Sequence, residues 1–556
     1  MREELAGVLN QAIKELFHVE IEAELTRPEE QFGDYSTNVA LQLAGHTSKS
    51  PKEVAEALAD KLQSIEMISK TEVAGPGFIN FWLSDSALLA SLGQEPAKKW
   101  AGKSVVVEYS DPNPFKELHV GHLYDGIVGD VIANLYEAMG GKVHRVNFGG
   151  DVGLHVAKAM WAIRRKLDGE NPEKLSNVSE EERAKWLSEA YVNGATAYDE
   201  DESAKVEIIE LNQRIYKIHQ DDDHDSPLAK VYWTCRQWSY DYFEEFYARI
   251  GTHFEKYYPE STTAPAGLSA VKEQLTKGVF EESDGAVIYN GEVHSLHTRV
   301  FINSKGLPTY ETKDIGLALC KWQDYHFDQN TILTGNEIVE YMKVVLAALE
   351  KFEPEIAKRT THLTHGMVKM AGGGKMSSRK GNVIRAVDVL DMTSEAVKAA
   401  GGKADEPVML AAVKYAFLKQ RLGADIIFDP NESVSLQGNS GPYLQYAYVR
   451  ADSIIKKSTN PEGVEASSKE LNPSERNLVR KMSEYSEVVE KATDELLPSH
   501  ICTYLYELAQ IFNRFYEGNR VIGDERQELR LKLVGSYART LKEGLQLLNI
   551  PVLDKM

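Results

Sequence analysis

The sequence has 556 residues, with 84 acidic side chains against 63 basic ones and a formal net charge of −21. That length exceeds what one hydrophobic core organises, so three or four folded units are expected. The acidic balance excludes a general nucleic-acid coat protein, which needs a basic footprint, and no apolar run reaches the length that spans a bilayer, so no membrane partner is expected.

Residues 1–17 set Leu5, Val8, Leu9, Ala12, Ile13, Leu16 and Phe17 on one helical stripe, without the basic start or cleavage site of a targeting peptide. Helical patterns then alternate with the short runs Glu72-Val73-Ala74 and Phe78-Ile79-Asn80-Phe81-Trp82, which reads as an α+β module over residues 1–95. From Lys103 the pattern becomes strand, turn, helix, strand. The apolar run Val105-Val106-Val107 leads to the turn Asp111-Pro112-Asn113-Pro114, then to a helix with Ile127, Val128, Val131, Ile132, Leu135 and Met139 inward. Gly140-Gly141 stops that helix and residues 143–148 form the next strand, a βαβ unit of a parallel sheet. A polar stretch over residues 167–225 reads as a helical insertion that leaves the sheet, which is expected to resume over residues 285–333.

After Asp388 helical patterns dominate. Residues 96–390 are read as a Rossmann-like α/β domain, 391–435 as a helical connector and 436–556 as an all-α bundle, with helices expected over 474–497, 499–516 and 526–548. Cys235, Cys320 and Cys502 lie too far apart for a disulfide framework or a zinc knuckle, which fits a reducing cytoplasm and no structural zinc.

Two motifs carry chemistry. His119-Val120-Gly121-His122 sits where a strand gives way to a helix, so free backbone amides and two imidazole donors meet at a position suited to a nucleotide's phosphates, and Gly121 removes a side chain where the nucleotide must lie close. A metal site is disfavoured, because zinc pairs on helices more often use i and i+4 with a third ligand nearby. The second motif, Lys375-Met376-Ser377-Ser378-Arg379-Lys380-Gly381, follows Gly372-Gly373-Gly374 and offers three cations to a pyrophosphate leaving group. Both together, in this order and in an α/β context, point to adenylate chemistry on ATP. A further basic group, Arg514, Arg520, Arg526, Arg530, Lys532, Arg539 and Lys542, is either a local RNA contact or a solvated charged face.

The motif pair resembles class I aminoacyl-tRNA synthetases, and the surrounding residues resemble arginyl-tRNA synthetases over nearly the whole chain. The resemblance is carried by Glu108-Tyr109-Ser110-Asp111-Pro112-Asn113, Gly150-Asp151-Val152-Gly153, residues 254–261, Leu307-Pro308-Thr309-Tyr310 with Asp314, Phe32-Gly33-Asp34-Tyr35-Ser36-Thr37-Asn38, residues 73–80 and residues 438–447. It implies an α/β fold: a Rossmann-like parallel-sheet catalytic domain, an α+β N-terminal domain that touches the tRNA elbow, and an all-α helical-bundle anticodon-binding domain. It implies arginine, Mg-ATP and tRNA(Arg) as substrates, a monomer, and a need for bound tRNA in the first step. Glu260, Asp314 and Tyr310 would hold the guanidinium, which as a planar, permanently charged fork needs carboxylates and in-plane acceptors. Glu108, Ser110 and Asn113 would hold the α-amino and carboxylate end. His119, Gly121, His122, Gly366, Met367, Val368, Lys375, Met376 and Ser377 would contact ATP. Tyr443, Tyr446 and Met556 would contact tRNA.

This sequence departs from the family pattern at three places. The second lysine of K-M-S-K-S is Ser378, so Arg379, Lys380 and Lys116 are the candidates to supply its charge; Asp111 replaces a serine; and Met342 stands where many members carry Gln or Arg. Two other readings stay open, a class I enzyme for a different amino acid and a catalytically inactive tRNA-binding protein.

Overall fold

The computed structural model describes residues 1–372, 384–402, 405–458 and 470–556. Chain contacts divide it into two compact units, each drawn from several stretches of sequence. Among the described residues no helix is long and apolar enough to cross a membrane.

The first unit comprises residues 1–96, 447–488 and 504–543. Its opening helix, Arg2–Phe17, buries Leu5, Leu9, Ala12 and Ile13, the centre of the stripe read from the sequence. A second helix, Pro51–Leu62, starts at a reciprocal cap in which Ser50 and Glu53 satisfy each other's backbone amides. Both helices accompany a three-stranded antiparallel sheet ordered Tyr35–Thr37, Phe78–Leu83, Ile68–Ala74. Asp34 and Tyr35 face the helical part of the same unit: Arg476 bridges Asp34 at 2.6 Å and Asp85 at 2.7 Å, while Arg27 and the Tyr35 hydroxyl meet Glu487 at 2.7 and 2.5 Å. The helix expected over 474–497 is divided into Pro473–Ser483 and Tyr485–Glu495, and these two pieces fall largely into different units.

The second unit, residues 97–446, 489–503 and 544–556, is built on a five-stranded parallel sheet. The strand order is Thr360–His365, Gln329–Gly335, Ser104–Glu108, Lys142–Gly149, Lys256–Pro259. Val105, Val106 and Val107 are all fully buried, as a central strand covered on both faces requires. The helix Val120–Ala138 follows and buries Ile127, Val128, Val131, Ile132 and Leu135, with Met139 buried at its end.

Residues 285–333 do not simply resume this sheet. Ala286–Tyr289 pairs with Glu281–Ser283 and Arg299–Ile302 in a separate antiparallel sheet, and of that stretch only Gln329–Gly335 joins the parallel one. The polar stretch 167–225 is helical, holding Arg183–Glu200 and Glu202–Gln220, whose apolar stripe of Leu187, Ala190, Ile208, Leu211 and Ile215 closes on Val156, Met160 and Ile163.

Candidate active site

His119 is the cap of the helix Val120–Ala138. Its Nδ1 accepts from the amides of Gly121 at 3.1 Å and His122 at 3.3 Å, and Nδ1 of His122 accepts from the amide of His119 at 3.1 Å. Two imidazoles thus form a reciprocal cap of the kind that serine and glutamate usually make. With Nδ1 committed as an acceptor, a neutral ring carries its proton on Nε2, so both histidines present an Nε2–H donor. The rings stack, with centroids 3.6 Å apart and 19° between planes. Burial, helped by the nearby Lys116 and His365, lowers His119 to about 3; burial and the neighbouring His119 push His122 down as well. A Cβ on residue 121 would stand 2.9 Å from the His119 ring, so only glycine lets the ring fold over its own helix start.

Backbone bonds tie this turn to the far motif. Val120 donates to the carbonyl of Ile384 and Ala386 to that of Leu118, both at 2.9 Å, and Arg385 meets Glu117 at 3.2 Å. On the other side of residues 373–383, Val368–Met370 pairs in parallel with Ile426–Phe428. Both flanks of the Lys375 segment are therefore fixed in this unit. Lys375, Met376, Ser377, Ser378, Arg379 and Lys380 themselves lie outside the described residues.

A cavity of about 780 Å³ opens here, at the carboxyl ends of the parallel strands. Its walls include Lys116, His119, Gly121, His122, Gly366, Met367 and Val368 on one side, and Tyr310, Asp314, Tyr341 and Met342 on another. Glu108, Ser110, Asp111, Asn113 and Asp125 also line it. Open α/β sheets bind ligands at this end, and a helix start with inward donors suits an anion. The Asp314 carboxylate accepts from the Tyr341 hydroxyl, and Tyr310 stands at the first position of the helix Tyr310–Tyr325, half-exposed.

The comparisons with known proteins agree with this geometry. A family model for the class I tRNA synthetase (R) catalytic domain matches residues 85–429, one for the DALR anticodon-binding domain matches 444–556, and one for the arginyl-tRNA synthetase N-terminal domain matches 3–83. The chain belongs to the arginyl-tRNA synthetase family of class I. Similar curated relatives are the arginine–tRNA ligase of Bacteroides thetaiotaomicron, 29% identical over 99% of both chains, and that of Flavobacterium psychrophilum, 32% identical over 82% of this chain and 80% of the relative. The fold is shared with the Thermus thermophilus arginyl-tRNA synthetase, at a TM-score of 0.82 and 24% identity, and with the Plasmodium falciparum enzyme, at 0.79 and 21%, with 99–100% of each chain covered. The chain is an ATP-dependent ligase that joins arginine to tRNA.

Against that chemistry, the expected arginyl-tRNA synthetase residues fall into distinct places. Ser110 lines the cavity with its hydroxyl 2.8 Å from that of Tyr247, and the Asn113 side-chain oxygen accepts from Gly150 at 3.0 Å. Glu108 lines it too, but its charge is met by the buried Lys321, which also reaches Asn330 at 3.1 Å. Glu260 does not line it. That carboxylate is 3% exposed and paired with Lys313, because a buried charge needs a counter-charge and Lys313 lies beside Asp314 on the facing helix. Tyr446 is exposed, Tyr443 is half-buried and Met556 is exposed at the chain end.

Asp125, Tyr341, Glu337 and Arg299 also line the cavity, although none belongs to the motifs that mark the site in the sequence. Asp125 was within reach, since it follows His122 by three positions and so shares its helix face. Tyr341 carried no local signal, because its partner Asp314 is 27 residues away.

Proposed function

We propose that His119 and His122 donate their Nε2–H groups to the α-phosphoryl oxygens of Mg-ATP while the carboxylate of arginine attacks the α-phosphorus in line. The bond to the β-phosphate bridging oxygen breaks, pyrophosphate leaves, and the 2′-hydroxyl of the terminal tRNA adenosine then takes the arginyl group from the adenylate. Such a displacement needs positioning and charge stabilisation rather than a covalent protein group. Mg2+ enters on the phosphates of ATP, as part of that substrate. Lys116 meets the β- and γ-phosphates. It has no salt bridge among the described residues, and burial lowers it to about 8, so an arriving polyanion supplies the missing partner. Lys375, Arg379 and Lys380 share that task, and Gly366, Met367, Val368, Met376 and Ser377 frame the nucleotide.

The guanidinium lies against Tyr310 and Asp314. Glu260, through Lys313, fixes the helix that carries both, while Glu108, Ser110 and Asn113 shape the α-carbon end. Tyr443, Tyr446 and Met556 contact tRNA, the N-terminal domain meets its elbow, and the enzyme works as a cytoplasmic monomer. The observation that carries the assignment is the commitment of both Nδ1 atoms to backbone amides, which leaves two neutral donors side by side in the cavity. Arginine-dependent exchange between ATP and pyrophosphate tests it, run with and without tRNA(Arg) and with lysine and canavanine as competitors. Exchange that needs arginine and tRNA is expected; exchange driven equally by lysine would overturn the guanidinium assignment.

A further inference from the structure

Asp125 sits in the wall of the cavity, one helical turn beyond His122, and is 6% exposed. Its Oδ2 accepts from the amide of Ser110 at 3.2 Å, whereas Oδ1 has no hydrogen-bond partner among the described residues. A carboxylate oxygen buried without a partner is costly enough to call for an explanation. The neighbours do not provide a cation. Lys321 is held by Glu108 and Asn330, Arg299 is held by Glu311 at 3.2 Å, and Glu337 and Asp111 are further acids.

The backbone supports a ligand at this spot. Ser110 and Asp111, in succession, have φ of 74° and 43°, a left-handed conformation that non-glycine residues seldom hold. Strain of this kind persists where surrounding bonds over-determine it and is concentrated at binding sites. The bonds here are those from Ser110 N–H to Asp125 and from Phe148 N–H to Asp111 Oδ1 at 2.7 Å, so the strained turn brings two carboxylates to the same end of the cavity.

We propose that Asp125, together with Asp111, binds the α-ammonium group of arginine. The substrate carries two cations, and the cavity has an acidic group for each: Asp314 beside Tyr310 for the guanidinium, and the Asp111–Asp125 pair beside the HVGH turn for the ammonium. Placing the ammonium there sets the substrate carboxylate beside the histidines that face the α-phosphate. Burial and the charges of Glu108 and Glu337 raise Asp125 while the Ser110 amide opposes them, the state of a carboxyl that lacks its counter-ion until a ligand arrives. The inference rests on the guanidinium lying at Tyr310 and Asp314.

The test compares arginine with 5-guanidinopentanoate, which lacks only the α-amino group, as ligands of the wild-type enzyme and of Asp125→Asn. Asparagine keeps an oxygen for the Ser110 amide and removes the charge. Loss of a charge-assisted bond predicts arginine binding weakened about 10- to 100-fold with the deamino compound nearly unaffected, so the preference for arginine shrinks by that factor. An unchanged preference, whether both ligands weaken or neither does, would make Asp125 a loop clamp and overturn the proposal. Asp314→Asn in the same assay should weaken both ligands alike; failure of that control counts against the guanidinium assignment instead. If Asp125→Asn does not fold, agmatine and butylguanidine on the wild-type enzyme decide the matter: agmatine binding about 10-fold tighter supports an ammonium site, and equal binding refutes it.

Discussion

Burial pushes the Asp314 carboxyl up to about 7; the Tyr341 hydroxyl opposes the shift, and the charges of Glu108 and Glu260 add to it. A carboxyl raised in the folded state contributes stability that is fully present below the unfolded pKa of about 4 and is lost as pH rises through the folded value. Guanidinium binding runs the other way, because it needs the ionised form. Inhibition of pyrophosphate exchange by a simple alkylguanidinium should therefore strengthen by roughly tenfold per pH unit below 7 and level off above it; a flat profile from pH 5.5 to 8.5 would show that Asp314 is not the partner. The histidines make the complementary case. With His119 lowered to about 3 and His122 also depressed, both rings stay neutral across that range, so turnover should show no histidine limb near pH 6.5. His122→Ala removes one preorganised donor and should lower kcat by about two decades or more, while Tm changes little enough to show a folded protein. A kcat within threefold of wild type would exclude the ring from the chemistry.

Asp314 reaches its place because two helices touch backbone to backbone. A Cβ on Gly267, in the helix Glu260–Thr276, would stand 1.9 Å from the Thr312 carbonyl oxygen, and one on Gly316, in the helix Tyr310–Tyr325, would stand 2.1 Å from that of Thr263. Only glycine at both positions allows this crossing, and the crossing is what joins Glu260 to Lys313. Gly267→Ala must push the helices apart, at a cost of about 1–3 kcal/mol, and should raise KM for arginine far more than KM for ATP. Gly7→Ala, where an added Cβ meets nothing within 4 Å, is the matched control and should change neither. The same crossing explains what was legible in the sequence. HVGH and Tyr310–Asp314 act through spacings of three and four along one helix, which a sequence displays. The pairing of Glu260 with Lys313 depends on two distant glycines meeting, which it does not display. The edge strand Lys256–Pro259 escaped notice because, of its four residues, only Tyr258 is buried. In the first unit Phe32–Asn38 was legible as a motif but not in its use: its Asp34 is buried against Arg476 and Tyr35 against Arg27 and Glu487. Arg476→Ala would leave Asp34 with Arg480, at 3.4 Å, as its remaining cation and should cost about 2 kcal/mol for the lost charged hydrogen bond, read as faster amide exchange in the strand Phe78–Leu83, whose Leu83 amide donates to Asp34.

At the scale of the whole molecule, a net charge of −21 means that tRNA must be held by local cations, and the structure sorts those in the C-terminal basic group. Arg526 and Arg530 are both bound to the buried carboxylate of Glu475, and Arg530 also meets Asp524 at 3.2 Å. Those two charges hold the fold together. Arg514, Lys532 and Lys542 are exposed and make no salt bridge among the described residues, so they are free to meet phosphates. Each neutralised phosphate contributes about 0.7 to 0.9 to the slope of log K against log salt, so these three cations account for only about 2 to 3 in that slope, far short of a polybasic binder. Lys532→Gln should therefore weaken tRNA(Arg) binding at low salt and flatten the slope by about 1, with Tm unchanged. Arg526→Gln should do the reverse, lowering Tm while leaving the slope as it was, because it removes a partner of Glu475 and not a phosphate contact. Binding isotherms for both variants between 50 and 200 mM salt decide the question: equal slopes for wild type and Lys532→Gln would return that lysine to the role of a solvated surface charge, and a flattened slope in Arg526→Gln would mean that tRNA draws the arginine away from Glu475.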